Sequence, residues 1–332
     1  MYLKVFVGFI TVLFCSQIWA TPTQPFGERK DVQAFIQQMV ARDHFDREKL
    51  TSLFNTVKPR PKIYIKLDHP KEAEPWFQYK QIFLNKQRIE DGVAFWHQHK
   101  KTLEKAEKMY GVPPQIIVSI IGIESDFGTQ LGTFKVLDSL SDIAFNYPKR
   151  TRFFRSELRD FLLFCRRWKL DPTIVLGSYA GAIGEAQFMP SSMLAYAIKF
   201  DHKKDTSILN DQDDVIGSIA NFLNHYGWIA GQPMMMRAKI SKTQKLKIKA
   251  NQHEPTFSME QLKKNGITPL ETLPKNSLFG LLELQEKSGN EYWIGLNNFY
   301  VTTRYNSHLL YVVATYQLSQ AMEKEYRRTY PE

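Results

Sequence analysis

Residues 115–128 read QIIVSIIGIESDFG, and the first nine of them are apolar on nearly every face of a helix. A helix that is apolar all round lies inside a core and not on a surface. The preceding residues Gly111–Pro114, which read GVPP, end one helix and start the next. The pattern therefore predicts a buried central helix that ends in the stretch Glu124–Gly128.

Glu124 is the first candidate for chemistry. It lies near the C-terminal end of the predicted helix, where burial and the negative end of the helix dipole both disfavour a carboxylate. We therefore expect a raised pKa. A carboxylic acid that stays protonated near neutral pH can give a proton to a leaving-group oxygen, as glycosidic cleavage requires. A buried Glu paired with an Arg for structural reasons is the alternative, and the residues alone leave both open.

Apolar periodicity predicts a mainly helical fold of the α+β class. The predicted helices span residues 31–57, 82–109, 149–168, 191–199, 214–226 and 307–327. Alternating residues at 234–250 predict a strand, Ser258 and Gln261 form a capping box, and residues 281–293 predict a hairpin around Ser288–Asn290. A small α/β subdomain is thus predicted within a helical protein.

Composition limits the function classes only broadly. The chain has 332 residues, of which 43% are hydrophobic and 23% are charged, so it can bury a sizeable core and is not a disordered protein. The net charge of +10 favours an anionic partner such as nucleic acid, a membrane surface or an acidic wall polymer. Because the basic residues are spread along the chain, a merely cationic surface explains the charge equally well.

The N-terminus predicts export. A cation at Lys4, an apolar run over Val5–Phe14 and the small residue Ala20 are typical of a secretory signal peptide, cleaved after Ala20. Lipidation of Cys15 is not expected, because Phe14 stands where a small residue belongs. Cys165 would then be the one cysteine of the mature chain, so we expect a buried structural thiol and no disulfide.

Several common chemistries have no motif in this sequence. It contains no HExxH zinc motif, no Walker loop, no GxGxxG fingerprint and no CxxC pair. Ser178 follows Gly177 directly and so does not fit a hydrolase nucleophile elbow. His97 and His99 are two apart on a predicted helix and point to different faces, which argues against a metal pair.

Four stretches carry a resemblance to a known family. They are YGVPPQIIVSIIGIESDFGTQLGTFKVLDSLSDIAFNYPKR at 110–150, GSYAGAIGEAQFMPSS at 177–192, DVIGSIANFLNHYGW at 214–228 and YWIGLNNFYVTTRYN at 292–306. In this order they resemble the membrane-bound lytic murein transglycosylase B family, and the likeness runs from Phe35 to Ala321. The resemblance implies a lysozyme-like helical core, an N-terminal helical domain and a small β-containing subdomain.

The domain boundaries that we predict follow from this resemblance. They are a signal peptide at 1–20, an N-terminal helical region at 21–110, a lysozyme-like core at 111–230, a small α/β subdomain at 231–290 and a return to the core at 291–332.

The resemblance also implies an activity. Members of the family cleave the bond between N-acetylmuramic acid and N-acetylglucosamine in peptidoglycan without adding water, and they leave a 1,6-anhydro ring. Glu124 matches their single acid/base. Residues that match the family's substrate-binding positions are Ser178, Gln187, Phe188, Met189, Pro190, Tyr79, Lys149, Arg150, Phe153, Phe222, Tyr305, Asn306 and Tyr311.

Purely structural roles are alternatives for some of these residues. Ser178 could be a helix cap, Phe188 and Met189 could be core residues, and Lys149 with Arg150 could be a solvated helix start. In the resemblance, the last two match an Arg pair suited to muropeptide carboxylates, and Arg150 keeps the planar fork of arginine.

The sequence departs from the family pattern at several positions. Phe153 and Phe222 stand where Tyr is common, so hydroxyl contacts are lost there. Glu185 occupies a position that is often neutral; it either brings a second carboxylate near Glu124 or faces solvent. The family's calcium loop would lie at 199–214, but Lys203 and Lys204 replace loop residues there and the loop Gly is absent, so we expect no bound calcium.

The sequence thus predicts a cofactor-free, monomeric peptidoglycan lytic transglycosylase in the periplasm of a Gram-negative bacterium. Its expected partners are glycan strands and, as a further prospect, cell-wall synthesis or division proteins. One alternative is a hydrolytic muramidase in which Asp126, Glu185 or another carboxylate activates water. Another is a non-catalytic peptidoglycan-binding protein. A nucleic-acid binder is not expected, because no recognition motif is present.

Overall fold

The computed structural model describes residues 24–60, 63–68, 74–201, 208–209, 211–241, 247–275 and 277–331. The predicted signal peptide, Cys15, Lys203 and Lys204 lie outside these residues. The chain divides into two compact units, Met1–Thr56 and Val57–Glu332. None of the described helices is long and apolar enough to cross a membrane.

Helices make up most of the fold, which confirms the mainly helical α+β class. They are α1 (Lys30–Asp43), α2 (Arg47–Asn55), α3 (Ile63–Asp68), α4 (Trp76–Phe83), α5 (Lys86–Gln98), α6 (Lys100–Tyr110), α7 (Pro114–Ser125), α8 (Val136–Asn146), α9 (Thr151–Trp168), α10 (Pro190–Tyr196), α11 (Gln212–His225), α12 (Met259–Lys264), α13 (Asn297–Thr303) and α14 (Leu309–Thr329).

The strands form two small antiparallel sheets. They are β1 (Phe134–Lys135), β2 (Leu176–Gly177), β3 (Met235–Ile240), β4 (Ile267–Pro269), β5 (Gly280–Glu286) and β6 (Gly289–Gly295). Strands β1 and β2 pair with each other, and the larger sheet has the order β4-β3-β6-β5. The predicted hairpin is confirmed as β5 and β6, in which Glu286 faces Gly289 across the turn.

The first unit contains the helices α1 and α2. Val32, Ile36 and Met39 recur at helical spacing on α1 and are buried, as the amphipathic pattern predicts. His44 adopts a left-handed conformation with φ 56° and ends α1, so the predicted segment 31–57 is two helices. Phe35 and Phe54 close the pair in an edge-on contact with 6.0 Å between their ring centroids.

The predicted central helix is α7. Nine of its residues are buried, and it packs against α14, α5, α6 and α11. Its two buried serines, Ser119 and Ser125, donate hydrogen bonds to backbone carbonyls of the preceding turn. A Cβ atom at Gly122 would lie 2.7 Å from the Phe127 ring, so this glycine lets the chain fold back under the helix.

Helix α8 has no counterpart in the sequence-based prediction. It buries Asp138 and Asp142, whose carboxylates accept hydrogen bonds from Lys58 N, Arg60 N and the Tyr64 hydroxyl. Polar residues on the buried face hide the apolar periodicity on which such predictions rest. These contacts hold Lys58, Arg60 and Tyr64 against α8.

The strand predicted at 234–250 is confirmed over Met235–Ile240. Residues 242–246 lie outside the described residues, and the prediction is wrong for residues 247–250. The neighbouring strand β4 has three residues, so the ladder ends where Ile240 pairs with Ile267. Residues 247–250 are not in a strand, but Ile248 and Ala250 pack on the apolar cluster beneath the sheet. This packing explains the alternating pattern without a strand. The capping box of Ser258 and Gln261 is confirmed at the start of α12.

Candidate active site

Glu124 lies in the last turn of α7, half-buried at the edge of the core. The chain leaves the helix through three residues with positive φ: Asp126 at 50°, Phe127 at 56° and Gly128 at 85°. Arg88 fixes this turn, since its guanidinium lies 3.0 Å from Asp126 Oδ1. Glu124 is therefore held by a rigid buried helix and a pinned turn, which suits a group that must be precisely placed.

A cavity of about 350 Å³ opens beside Glu124. Its lining residues are Glu124, Ser178, Tyr179, Ala180, Ala182, Gln187, Phe188, Met189, Ser192, Phe222, Tyr305 and Asn306. Glu124 is the one carboxylate among these described residues. The structure thus brings seven of the sequence-predicted residues together around Glu124.

Two tyrosines lie next to the acid: Tyr311 is buried behind it, and Tyr305 is half-buried and lines the cavity. The Tyr311 hydroxyl donates a hydrogen bond to Glu124 Oε1 at 2.7 Å, and the Tyr305 hydroxyl donates to Ala186 O at 2.5 Å. Their rings are parallel within 7°, with centroids 6.5 Å apart. Burial, and next the charge of Glu124, raises the pKa of both phenols well above 10, so both remain neutral donors.

The loop that carries Ser178 is closed by hydrogen bonds to its own backbone. Ser178 Oγ accepts from Ala182 N at 3.0 Å, and Ser178 N donates to Ala182 O at 2.9 Å. Ser178 is therefore not a helix cap. Gln187 has a φ of 44°, and its amide donates to Gly184 O at 2.8 Å and Leu131 O at 3.3 Å. These bonds orient the loop toward the cavity.

Helix α10 continues the cavity wall after this loop. Pro190 is its first residue, and Glu157 accepts hydrogen bonds from both Ser191 N and Ser191 Oγ at the same helix end. Burial raises the pKa of Glu157, and the Ser191 hydrogen bonds lower it in part. This anchor fixes Ser192, which lines the cavity and which the sequence analysis did not identify.

Aromatic rings form one wall of the cavity. Phe222 contacts Tyr305 at 5.0 Å and Phe188 at 5.5 Å between ring centroids. Phe188 and Phe222 are each 3% exposed, so the core interpretation and the lining position both apply to them. Tyr179 also lines the cavity and was not predicted, although it directly follows Ser178.

Besides Tyr311, which lies behind Glu124, five predicted residues do not line this cavity. Tyr79 is buried next to Tyr311, and Pro190 is buried at the start of α10. Lys149 lies 5.9 Å from the Tyr147 ring, and the Arg150 guanidinium lies 4.5 Å from the ring of the exposed Phe153. A substrate contact at these five positions stays a prediction.

Glu185 neither faces solvent nor lines the cavity. It is 6% exposed, and a Cβ atom at Gly128 would lie 2.9 Å from its carboxylate. Burial raises the pKa of this carboxyl, and the neighbouring Gln212 amide lowers it in part. Glu185 therefore packs beneath the turn that follows Glu124.

A larger groove adjoins the cavity. It has a volume of about 940 Å³ and shares Ser178, Tyr179 and Gln187 with the cavity beside Glu124. Its far wall includes Ile174 and Leu176, which are 67% and 50% exposed. The two spaces share the wall formed by Ser178, Tyr179 and Gln187, and the groove has room for an extended ligand.

Three carboxylates meet near the segment where a calcium loop was considered. Oxygens of Asp201, Asp211 and Asp213 lie within 4.8 Å of one another. However, Asp211 caps α11 through Asp213 N at 3.0 Å, and Asp213 accepts from Thr102 Oγ1 at 2.7 Å. Calcium takes about six to eight oxygen ligands. The described residues supply only part of such a site, and the absence of calcium stays a prediction.

Known proteins resemble the chain over nearly its full length. A family model described as the transglycosylase SLT domain matches residues 27–320. The membrane-bound lytic murein transglycosylase B of Escherichia coli K12 is 36% identical over 307 residues, which is 90% of this chain and 84% of that protein.

Solved structures of lytic transglycosylases also resemble the chain. The soluble lytic transglycosylase SltB1 from Pseudomonas aeruginosa is 39% identical with a TM-score of 0.82, over 89% of this chain and 99% of that one. The Escherichia coli lytic transglycosylase Slt35, solved in complex with calcium, is 36% identical with a TM-score of 0.83, over 90% of this chain and 95% of that one. The chain therefore belongs to the transglycosylase SLT domain family.

Proposed function

We propose that this protein is a peptidoglycan lytic transglycosylase with Glu124 as its single acid and base. Membership of the family supports the reaction class, because its named relatives are lytic transglycosylases. The single carboxylate in the cavity carries the mechanistic part of the proposal. A hydrolase with two catalytic carboxylates needs a second one beside the scissile bond.

The reaction begins with the protonated Glu124 giving its proton to the oxygen of the bond between N-acetylmuramic acid and N-acetylglucosamine. The C1–O bond breaks, and the N-acetylglucosamine hydroxyl leaves. Glu124, now a carboxylate, removes the proton from the C6 hydroxyl of the muramic acid, whose oxygen bonds to C1. The products are an alcohol and a 1,6-anhydro ring, and water is not consumed.

Tyr311 is assigned a positioning role. Its hydroxyl holds Glu124 Oε1 at 2.7 Å, and a hydrogen bond of this kind is strongest when the carboxylate is ionised. Tyr311 would therefore stabilise the carboxylate that exists between the two proton transfers. Its raised pKa keeps it a donor throughout the cycle.

Residues around Glu124 would hold the sugar. Ser178, Gln187 and Asn306 offer polar groups at the cavity surface, and Phe222 with Tyr305 offers ring faces for apolar sugar C–H groups. The adjoining groove of about 940 Å³ would accept further sugars of the strand. Lys149 and Arg150 are proposed to meet muropeptide carboxylates farther from the reacting bond.

The two other carboxylates considered for a hydrolytic mechanism are poorly placed. Asp126 is bound by Arg88, and Glu185 is packed against Gly128. Neither lines the cavity in the described part of the chain. The geometry therefore favours cyclisation over attack by water.

The cellular setting follows from the substrate. We propose that the mature chain begins after Ala20, acts as a monomer in the periplasm and is attracted to the anionic wall by its net charge of +10. Cell-wall synthesis or division proteins are proposed as further partners.

The test is mass spectrometry of fragments released from purified peptidoglycan by the wild-type chain and by Glu124→Gln. We expect anhydro-muropeptides, one water lighter than reducing-end products, from the wild type and none from the variant. Asp126→Asn and Glu185→Gln are the controls for the hydrolytic rival, and both should still give anhydro products. Release of nothing by a folded wild type that binds peptidoglycan would support a non-catalytic binding protein.

A further inference from the structure

Three side chains cluster at the ends of helices just outside the cavity. Tyr196 ends α10, Tyr226 follows α11 and Arg304 follows α13. The hydroxyls of Tyr196 and Tyr226 lie 2.9 Å apart, and the Arg304 guanidinium lies 5.4 Å from the centroid of the Tyr226 ring. We refer to Tyr196, Tyr226 and Arg304 as the rim cluster.

The rim cluster has hydrogen-bond donors that are available to a ligand. In the tyrosine pair one hydroxyl donates to the other, which leaves one O–H hydrogen for an outside acceptor. Arg304 is exposed, and within the described chain its guanidinium has no carboxylate within ion-pair distance. Burial, and next the hydrogen bond to Tyr226, raises the pKa of Tyr196 to about 12, so this phenol stays protonated. The donors therefore suit an anion.

The residues of the rim cluster lie close in the chain to residues that line the cavity, on the same helices or next to them. Ser192 and Phe222 line the cavity, and each lies four residues before a rim tyrosine on its helix. Residues four apart share a helix face, about 5–6 Å from each other. Phe222 also contacts the rings of Tyr196 at 4.9 Å and Tyr226 at 4.7 Å. Arg304 directly precedes Tyr305, which lines the same cavity.

We infer that the rim cluster is a binding site for a carboxylate carried by the glycan strand whose sugar occupies the cavity. This inference rests on the proposed function. A guanidinium presents parallel N–H groups that match a planar carboxylate, and the free phenol hydrogen adds a third donor. A substituent on a muramic acid in the cavity could reach the rim cluster across one helical turn.

Two parts of the strand could supply the carboxylate. One is the lactyl group of the muramic acid, which is a free carboxylate when no stem peptide is attached. The other is the stem peptide itself. N-acetylglucosamine oligomers carry neither, so three kinds of strand separate the two sources from each other and from the sugar alone.

The test measures binding by calorimetry to the Glu124→Gln protein, in which cleavage cannot consume the ligand. The probes are a peptide-bearing strand, a peptide-free strand and an N-acetylglucosamine oligomer. Adding Arg304→Gln should weaken binding of at least one carboxylate-bearing strand about fivefold and leave the oligomer unchanged. Loss confined to the peptide-bearing strand assigns the site to the stem peptide, and loss with the peptide-free strand assigns it to the lactyl group.

Matched variants separate the effect of the guanidinium and the phenol hydroxyl from effects of net charge or of the aromatic ring. Lys263→Gln removes an exposed cation from α12 and should change no affinity, which controls for net charge. Arg304→Lys keeps the charge without the fork and should recover only part of the lost affinity. Tyr226→Phe keeps the ring and removes the hydroxyl, so it should weaken the same strand.

An equal loss for all three probes, or no loss for any, would overturn the inference. Failure of the Glu124→Gln protein to bind any strand would overturn this inference, and absence of anhydro products from the wild type would overturn the proposed function as well. If the wild type makes anhydro products while Arg304→Gln leaves every affinity unchanged, only the rim site is rejected.

Discussion

Tyr311 donates a hydrogen bond to Glu124 Oε1 at 2.7 Å, from a buried position at the start of α14. Glu124 and Tyr311 are 187 positions apart in the chain and meet only because α7 and α14 pack together. The acid and the group that holds it are thus placed by the core itself.

Replacing Tyr311 with Phe should lower kcat/KM about thirtyfold, because a hydrogen bond to a charged group contributes about 2 kcal/mol. Tyr316→Phe on the same helix is the control, since the Tyr316 ring packs against Trp293 and lies away from Glu124. Steady-state kinetics on peptidoglycan fragments checks both variants. Equal activity of the two would remove Tyr311 from the mechanism.

Gly132 should be intolerant of any side chain. It has a φ of 87°, and an added Cβ atom would lie 2.1 Å from Gly177 O, next to Ser178. We expect Gly132→Ala to cost about 3 kcal/mol in the free energy of unfolding. Gly227→Ala is the matched control: its φ is 90°, but no atom lies within 4 Å of the added Cβ, so it should cost about 1 kcal/mol. Chemical denaturation measures the difference, and equal costs would contradict the close approach.

Glu157 should make stability depend on pH. Burial raises its pKa above the ordinary 4.5, so the folded protein binds this proton more tightly than the unfolded chain does. The stability that the carboxyl contributes is present below pH 4.5 and is lost as the pH rises through the raised pKa. Glu157→Gln can still accept from Ser191 N through its amide oxygen and donate to Ser191 Oγ through its NH2 group, and it cannot ionise.

The Tm of Glu157→Gln should therefore rise relative to the wild type across that pH interval and then level off. Thermal melting between acidic and neutral pH checks this, with the exposed Glu48→Gln as control. A constant difference between Glu157→Gln and wild type would contradict the buried-carboxyl account.

Cys165 should be inert in the folded protein. It is 3% exposed, and burial raises the pKa of its thiol to about 12, so almost no thiolate forms near neutral pH. In the chain that begins at Thr21, a thiol reagent should label nothing under native conditions and one thiol after unfolding. Rapid native labelling would show that α9 opens readily.

Calcium should leave the Tm unchanged. Asp211 and Asp213 already use carboxylate oxygens in hydrogen bonds, and Lys203 and Lys204 follow Asp201 in the sequence. Melting curves in excess calcium and in a chelator check this expectation. A higher Tm with calcium would show that residues outside the described ranges complete a site with Asp201, Asp211 and Asp213.

The sequence predicts the central helix and its acid because the signal there is strong. An apolar run that covers all faces of a helix and ends in Glu124 indicates a buried helix with an acid at its end. Helix α8 escapes prediction because Asp138 and Asp142 occupy its buried face and are satisfied by partners about 80 residues away. No local pattern records such partners.

In the candidate site, too, residues with a local sequence signal were predicted and contacts between distant residues were not. Ser178 and Gln187 stand in one short stretch that the family resemblance identifies, and the structure places both at the cavity. Ser192 and Tyr179 were missed because a serine or tyrosine in such a stretch has no distinctive spacing. The hydrogen bond from Tyr311 to Glu124 depends on the packing of two distant helices, which periodicity alone cannot specify.

Digestion of peptidoglycan in water enriched in oxygen-18 tests the central claim most directly. If Glu124 directs the C6 hydroxyl onto C1, the new chain ends are anhydro rings that contain no oxygen-18. If a water molecule attacks instead, every new reducing end carries the heavy oxygen, and the single-carboxylate mechanism is contradicted.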